Sequence, residues 1–156
     1  MKKSLLALAA ACAAFVAPEA SATTFPTLTT IYVGSGVYDN GAAANAGVAT
    51  SFICTNASGL TASMRFLVLD TPGSVAASNT TGMNHGETLT ASTHSTFIFA
   101  DSSLSPGILI QQGGVVIEST QSGVFCTAMI LDASTATPNG IPLHLVRVNP
   151  HPGTVE

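Results

Sequence analysis

Past residue 22, apolar and polar side chains alternate with a period of two in short runs, and each run ends in a cluster of Gly, Pro, Asn or Asp. That is the pattern of half-buried strands punctuated by turns. The first run, residues 28–38, carries Ile31, Val33 and Val37 and stops at Asp39-Asn40-Gly41. The second, 48–56, sets Thr50, Phe52 and Cys54 on one face and Ser51, Ile53 and Thr55 on the other. The third, 62–70, alternates Met64, Phe66 and Val68 with Arg65, Leu67 and Leu69. It ends at Asp70-Thr71-Pro72-Gly73, where Asp bonds its own backbone and Pro and Gly set the dihedrals of a turn.

Residues 74–86 read as irregular. Short strands are expected at 87–92 and 95–100, with a loop at 101–107. Residues 108–110 and 115–120 flank Gln111-Gln112-Gly113-Gly114, which is a hairpin turn or a bulge. The best strand, 124–132, is apolar on both faces, as a strand at a sheet centre is. Pro138-Asn139-Gly140 turns the chain into a last strand at 141–148. No stretch past the leader repeats apolar residues at helical spacing. About seven to eight strands and no helix predict an all-β, two-sheet antiparallel sandwich.

The first 22 residues break the pattern. Met1-Lys2-Lys3, an apolar stretch over 5–16 and Ala20-Ser21-Ala22 are the basic, apolar and cleavage regions of an export leader. The apolar stretch is too short to cross a bilayer, and no later one approaches the roughly 18 residues a spanning helix needs, so no transmembrane segment is expected. Cys12 follows Leu8-Ala9-Ala10-Ala11, but Ala9 stands where a lipidation box carries Leu. Cleavage after Ala22, not a lipid anchor at Cys12, is therefore the expectation. The chain then divides into a signal peptide (1–22), a single β-sandwich domain (23–149) and a Pro-containing tail (150–156). A mature chain of 134 residues, 23–156, is long enough for a real core. Export places it in a secreted or periplasmic, oxidising compartment. There the two remaining cysteines, Cys54 and Cys126, are expected to form a disulfide, which removes the only strong nucleophile and soft metal ligand.

Cys54 falls in the second strand and Cys126 in the penultimate one, each on an inward alternation. In this the chain resembles an immunoglobulin-like or fibronectin-like sandwich over residues 30–149. The resemblance implies an inter-sheet disulfide between the two layers. Two features depart from antibody domains: there is no Trp to pack on the bridge, and Val124 holds the place of the corner tyrosine. Residues 125–132 and 143–150 also resemble pieces of uncharacterised secreted bacterial proteins, a likeness that implies no activity.

Charge is scarce. Arg65 and Arg147 are the only basic residues after the leader, against seven acids. Nucleic-acid binding needs several phosphate-neutralising cations, and two arginines make no such patch. Docking on anionic lipid fails on the same count. Each arginine alternates with apolar residues inside a strand, so each is expected either to form a structural ion pair, with Asp70, Glu118 or Asp132 as candidate acids, or to lie at a sheet margin. Ser and Thr supply 34 of the mature residues, so hydroxyls replace charges on the surface.

The candidate chemistry is thin. Met83, His85 and His94 form an alternative copper-ligand set in an exported protein. The plainer reading makes His85 a turn residue and His94 a solvated loop residue, with no metal and no cofactor. His144, between Leu143 and Leu145, reads as a structural imidazole. No Gly-x-Ser-x-Gly elbow marks a hydrolase nucleophile. Asp39-Asn40-Gly41 and Asp101-Ser102-Ser103 lack the spaced acids of a calcium loop and read as turns. Asn56-Ala57-Ser58 and Asn79-Thr80-Thr81 match the glycosylation sequon. Tyr32 and Tyr38 are the only amphipathic rings, and they read as sheet packing rather than as a sugar platform. These features lead to the expectation of a non-catalytic structural or interaction module, with protein partners or self-association through neutral sheet edges. The alternative is a small periplasmic copper-binding protein.

Overall fold

The computed structural model describes residues 27–137 and 139–148. The leader, Cys12 and the tail from 150 lie outside the described residues.

Ten strands form two sheets, and no helix occurs among the described residues. In chain order they are β1 (Thr29–Asp39), β2 (Val48–Asn56), β3 (Ala62–Leu69), β4 (Val75–Met83), β5 (Thr88–Ser92), β6 (Ser102–Ser103), β7 (Ile110–Ser119), β8 (Val124–Asp132), β9 (Ile141–Leu143) and β10 (Leu145–Arg147). One sheet has the order β10-β1-β7-β3-β4, the other β6-β5-β2-β8-β9. All pairings are antiparallel except β5 with β6.

The core lies between the sheets because each strand turns its apolar alternation inward. In β3 the pattern is strict: Ala62, Met64, Phe66 and Val68 are buried while the residues between them are half-buried. Phe66 meets Phe52 of β2 across the interior, with ring centroids 6.3 Å apart. Met64, Met83, Ile110 and Ile117 fill the same layer.

The segment 108–120 is a single strand from Ile110 onward, and the Gln111–Gly114 stretch is a bulge rather than a hairpin turn. Against β1 its register slips between Ser35 and Val37 and again before Asp39. Gly113 is required there: a Cβ would lie 2.7 Å from the Leu69 carbonyl oxygen.

The disulfide joins Cys54 and Cys126 with Cα atoms 4.1 Å apart. It does not bridge the layers as the immunoglobulin resemblance implies. Cys54 and Cys126 are direct partners on neighbouring strands β2 and β8 of one sheet. Facing sheets pack about 10 Å apart, whereas directly opposed residues of adjacent strands lie at about 4.5–5.5 Å, so the short separation is that of an in-sheet pair. The strand order differs as well. In the immunoglobulin order the first strand lies beside the second; here β1 lies beside β7, and β8 takes the place beside β2.

Three further sequence expectations are corrected. Residues 75–83, read as irregular, are the edge strand β4. Residues 95–100, read as a strand, form none, with bends at 97–99; Ile98 and Phe99 pack on a small separate cluster of Ala49, Leu131 and Ala133. Residues 141–148 are not one strand. The chain leaves the β8 sheet after Leu143, passes through exposed His144 and enters the β1 sheet at Leu145. Leu143 and Leu145 both pack on the core from this crossing. Gly34 gives room for it, since a Cβ there would sit 2.8 Å from Leu145 Cδ2. His144 is therefore a corner residue in solvent rather than a structural imidazole.

Candidate functional site

Where β1 ends, the chain builds a cleft of about 220 Å³ between the loop 40–47, the segment after β5 and the loop between β6 and β7. Asp39 lies at its base because β1 runs two residues beyond Val37, its last inward apolar position, and so turns Asp39 inward as well. That carboxylate is buried, and both of its oxygens are engaged. Oδ1 accepts from the Gly41 N–H at 2.7 Å, which is the turn expected of Asp39-Asn40-Gly41. Oδ2 lies 2.7 Å from Nδ1 of His94.

His94 is buried rather than solvated, at 6% exposure. Its Nε2 lies 2.9 Å from the Ala46 carbonyl oxygen. A carbonyl only accepts, so Nε2 carries a hydrogen. The Nδ1–Asp39 contact then holds one further proton between imidazole and carboxylate. The pair is thereby satisfied on every side, as a buried ionisable pair must be.

The neighbouring groups extend this into a lock. The Asn45 N–H donates to the Ser95 carbonyl at 2.8 Å. The Thr50 N–H donates to Thr93 Oγ1, and the Thr93 N–H to the Thr50 carbonyl. Thr50 Oγ1 donates to the Tyr38 carbonyl and accepts from the Tyr38 N–H. The end of β1, the loop 40–47, β2 and the segment after β5 are thus fastened together. Two serines of the cleft, Ser103 and Ser105, bond each other at 2.5 Å. Ser105 adopts φ of 43°, which is uncommon for a residue other than glycine.

The structure does not bring the copper-ligand set together. Met83 is fully buried in the core. His85 is exposed beyond the end of β4, and its Nδ1 accepts from the Gly59 N–H at 3.1 Å. His94 lies past the far end of β5, so the two imidazoles are separated by a strand on the order of 17 Å long. Among the described residues no group of three or more His, Cys, Asp or Glu is placed to hold a metal ion.

The arginines have partners. Arg65 bonds Glu118 on the neighbouring strand β7, opposite it in register. That hydrogen bond holds the Arg65 guanidinium above its ordinary pKa. Arg147 lies over two rings, 5.2 Å from the centroid of Phe125 and 5.9 Å from that of Tyr32, and donates to the Ser122 carbonyl at 2.8 Å. Tyr32 itself is buried and donates its hydroxyl to the Val124 carbonyl. Of the two sequon asparagines, Asn56 is fully buried, and its amide donates to the Leu60 and Met83 carbonyls.

Sequence reasoning missed the Asp39–His94 pair. The two residues are 55 positions apart, and the only local signal was that Asp39 closes an apolar run. No helix among the described residues is long and apolar enough to cross a membrane. No protein-family model matches the chain, and no curated protein or solved structure matches it significantly.

Proposed function

We propose that this chain is an exported, non-catalytic module that works by structure or interaction, at a surface, in a matrix or in an assembly. One observation carries the reading: the outer nitrogen of His94 is occupied by the Ala46 carbonyl. A Ser–His–Asp mechanism needs that nitrogen beside the nucleophilic hydroxyl, to take its proton. Here the constellation that looks most like catalytic machinery works as a clamp on the loop 40–47. The covalent pairing of Cys54 with Cys126 supports export, because disulfides persist in oxidising compartments. It also leaves neither thiol as a nucleophile.

A fluorophosphonate probe, which labels activated serines irrespective of substrate, tests the reading. The oxidised mature protein is expected to keep its mass on incubation. Stoichiometric addition at Ser95, Ser103 or Ser105 would overturn it.

A further inference from the structure

The two sheets present four edges, and three of them are blunted. β6 is two residues long. β9 is three residues long and contains Pro142. β10 is three residues long and ends in Arg147. Short length, proline and charge are the devices by which proteins keep an edge from pairing with another chain. The fourth edge, β4, has none of them. It is nine residues long, Val-Ala-Ala-Ser-Asn-Thr-Thr-Gly-Met, without charge or proline. Its one irregularity is a register shift at its start, opposite Val68 and Leu69. From Ala77 to Met83 it pairs residue for residue with Val68 to Ala62. Met83 is buried and its carbonyl accepts from Asn56, so the rim lies open over the five residues Ser78 to Gly82, each exposed or half-buried. Among the described residues no strand lies beyond it.

We infer that β4 is a self-association edge, and that its occupant is β4 of a second copy, antiparallel, joining two five-stranded sheets into one. The segment suits itself. A two-fold axis at Thr80 sets Ser78 against Gly82 and Asn79 against Thr81, all uncharged and mostly small. Ala77 and Met83 face the core in each copy, while Ser78, Thr80 and Gly82 are exposed on the outer face, so the joined sheet keeps its polarity across the junction. The chain as a whole carries a net charge of −4, which sets two copies against each other wherever their acids approach. β4 is a stretch with no such cost. On neighbouring β3 the one charge, Arg65, is already neutralised by Glu118. Main-chain hydrogen bonds supply the adhesion, as in other strand-addition interfaces, and the isologous pairing closes at two copies.

This pairing rests on the interaction-module reading but fails separately from it. A monomer with no labelled serine would sink the pairing alone; a labelled serine on a chain that dimerises would sink the module reading alone.

The test is light scattering of the oxidised mature protein across a concentration series. The expected result is a mass that rises to twice the monomer. Thr80→Lys, at the exposed position on the two-fold axis, sets like charges opposite each other at the junction and is expected to weaken the dimer by at least about tenfold. Ala43→Lys, in the exposed loop between β1 and β2, changes the net charge equally and is expected to leave it unchanged. A mass that stays monomeric throughout would overturn the proposal. So would a dimer that Thr80→Lys leaves intact while circular dichroism shows the variant folded.

Discussion

The two flanks of the sandwich are closed by different means. On one flank the chain itself crosses from sheet to sheet at His144, Leu143 and Leu145 pack inward on either side of the crossing, and Arg147 lies over one ring from each sheet. On the other, β4 and β6 are linked by a side-chain hydrogen bond, from Asn79 Nδ2 to Ser102 Oγ at 2.9 Å. The first flank is sealed by backbone continuity and a cation shared between sheets. The second keeps an uncharged edge in reach of solvent over Ser78 to Gly82. Stability does not account for that asymmetry, since a lysine or a proline on β4 would protect the edge at little cost. The difference separates a surface that maintains the fold from one available to another chain.

The largest expected effect comes from the clamp at the end of the sandwich, next to the open flank. His94→Ala leaves Asp39 buried without its partner and is expected to cost about 3–5 kcal/mol, read by urea denaturation. Loop 40–47 should lose hydrogen-exchange protection in the same variant, while the crossing at His144 keeps its own. Next is the disulfide. Paired serines at 54 and 126 are expected to cost roughly 2–5 kcal/mol, and mass spectrometry of the unreduced protein should recover a peptide joining the two cysteines. Because the bond lies within one sheet, its loss should loosen β2 and β8 and leave the β3–β4 pairing intact. Arg147→Ala attacks the sealed flank directly. Removal of a cation from between two rings is expected to cost about 1–2 kcal/mol and to speed exchange in β10 but not in β4.

The smallest effect concerns acid sensitivity. The Ser134 hydroxyl, and then its backbone N–H, hold the Asp132 carboxyl below its ordinary pKa. A carboxyl depressed in the folded state adds stability above its unfolded pKa, and that stability is lost as pH falls through the folded value. Ser134→Ala is therefore expected to move the Asp132 midpoint up toward the ordinary carboxylate value, followed by NMR titration.

What the sequence revealed follows from how burial writes itself into a chain. β2 and β8 were legible to the residue, and β1, β3 and β5 within one residue at each end, because one face of each is apolar and turn residues close it. β4 was not. As an edge strand its outward positions hold Ser, Thr and Gly, and Asn79 stands among its inward ones, so its alternation is faint. The same lack of apolar marking that hid it makes it uncommitted on its outer rim. Residues 97–99 misled in the opposite sense: Phe97, Ile98 and Phe99 are consecutive apolar residues with no alternation, and Ile98 and Phe99 serve a satellite cluster instead of a sheet. Alternation also assigns faces, not neighbours. It set Cys54 and Cys126 inward but left open whether they face each other across the layers or lie side by side. The Asp39–His94 pair was beyond reach for a similar reason, since contact across 55 positions depends on which strand ends meet.

Hydrogen exchange of the mature wild-type protein, read by mass spectrometry at a low and a high concentration, tests the open-edge account most directly. Amides of Ser78–Gly82 should slow at the high concentration while those of Leu145–Arg147 keep one rate throughout. Equal rates for Ser78–Gly82 at both concentrations, in a chain that remains folded, would contradict it.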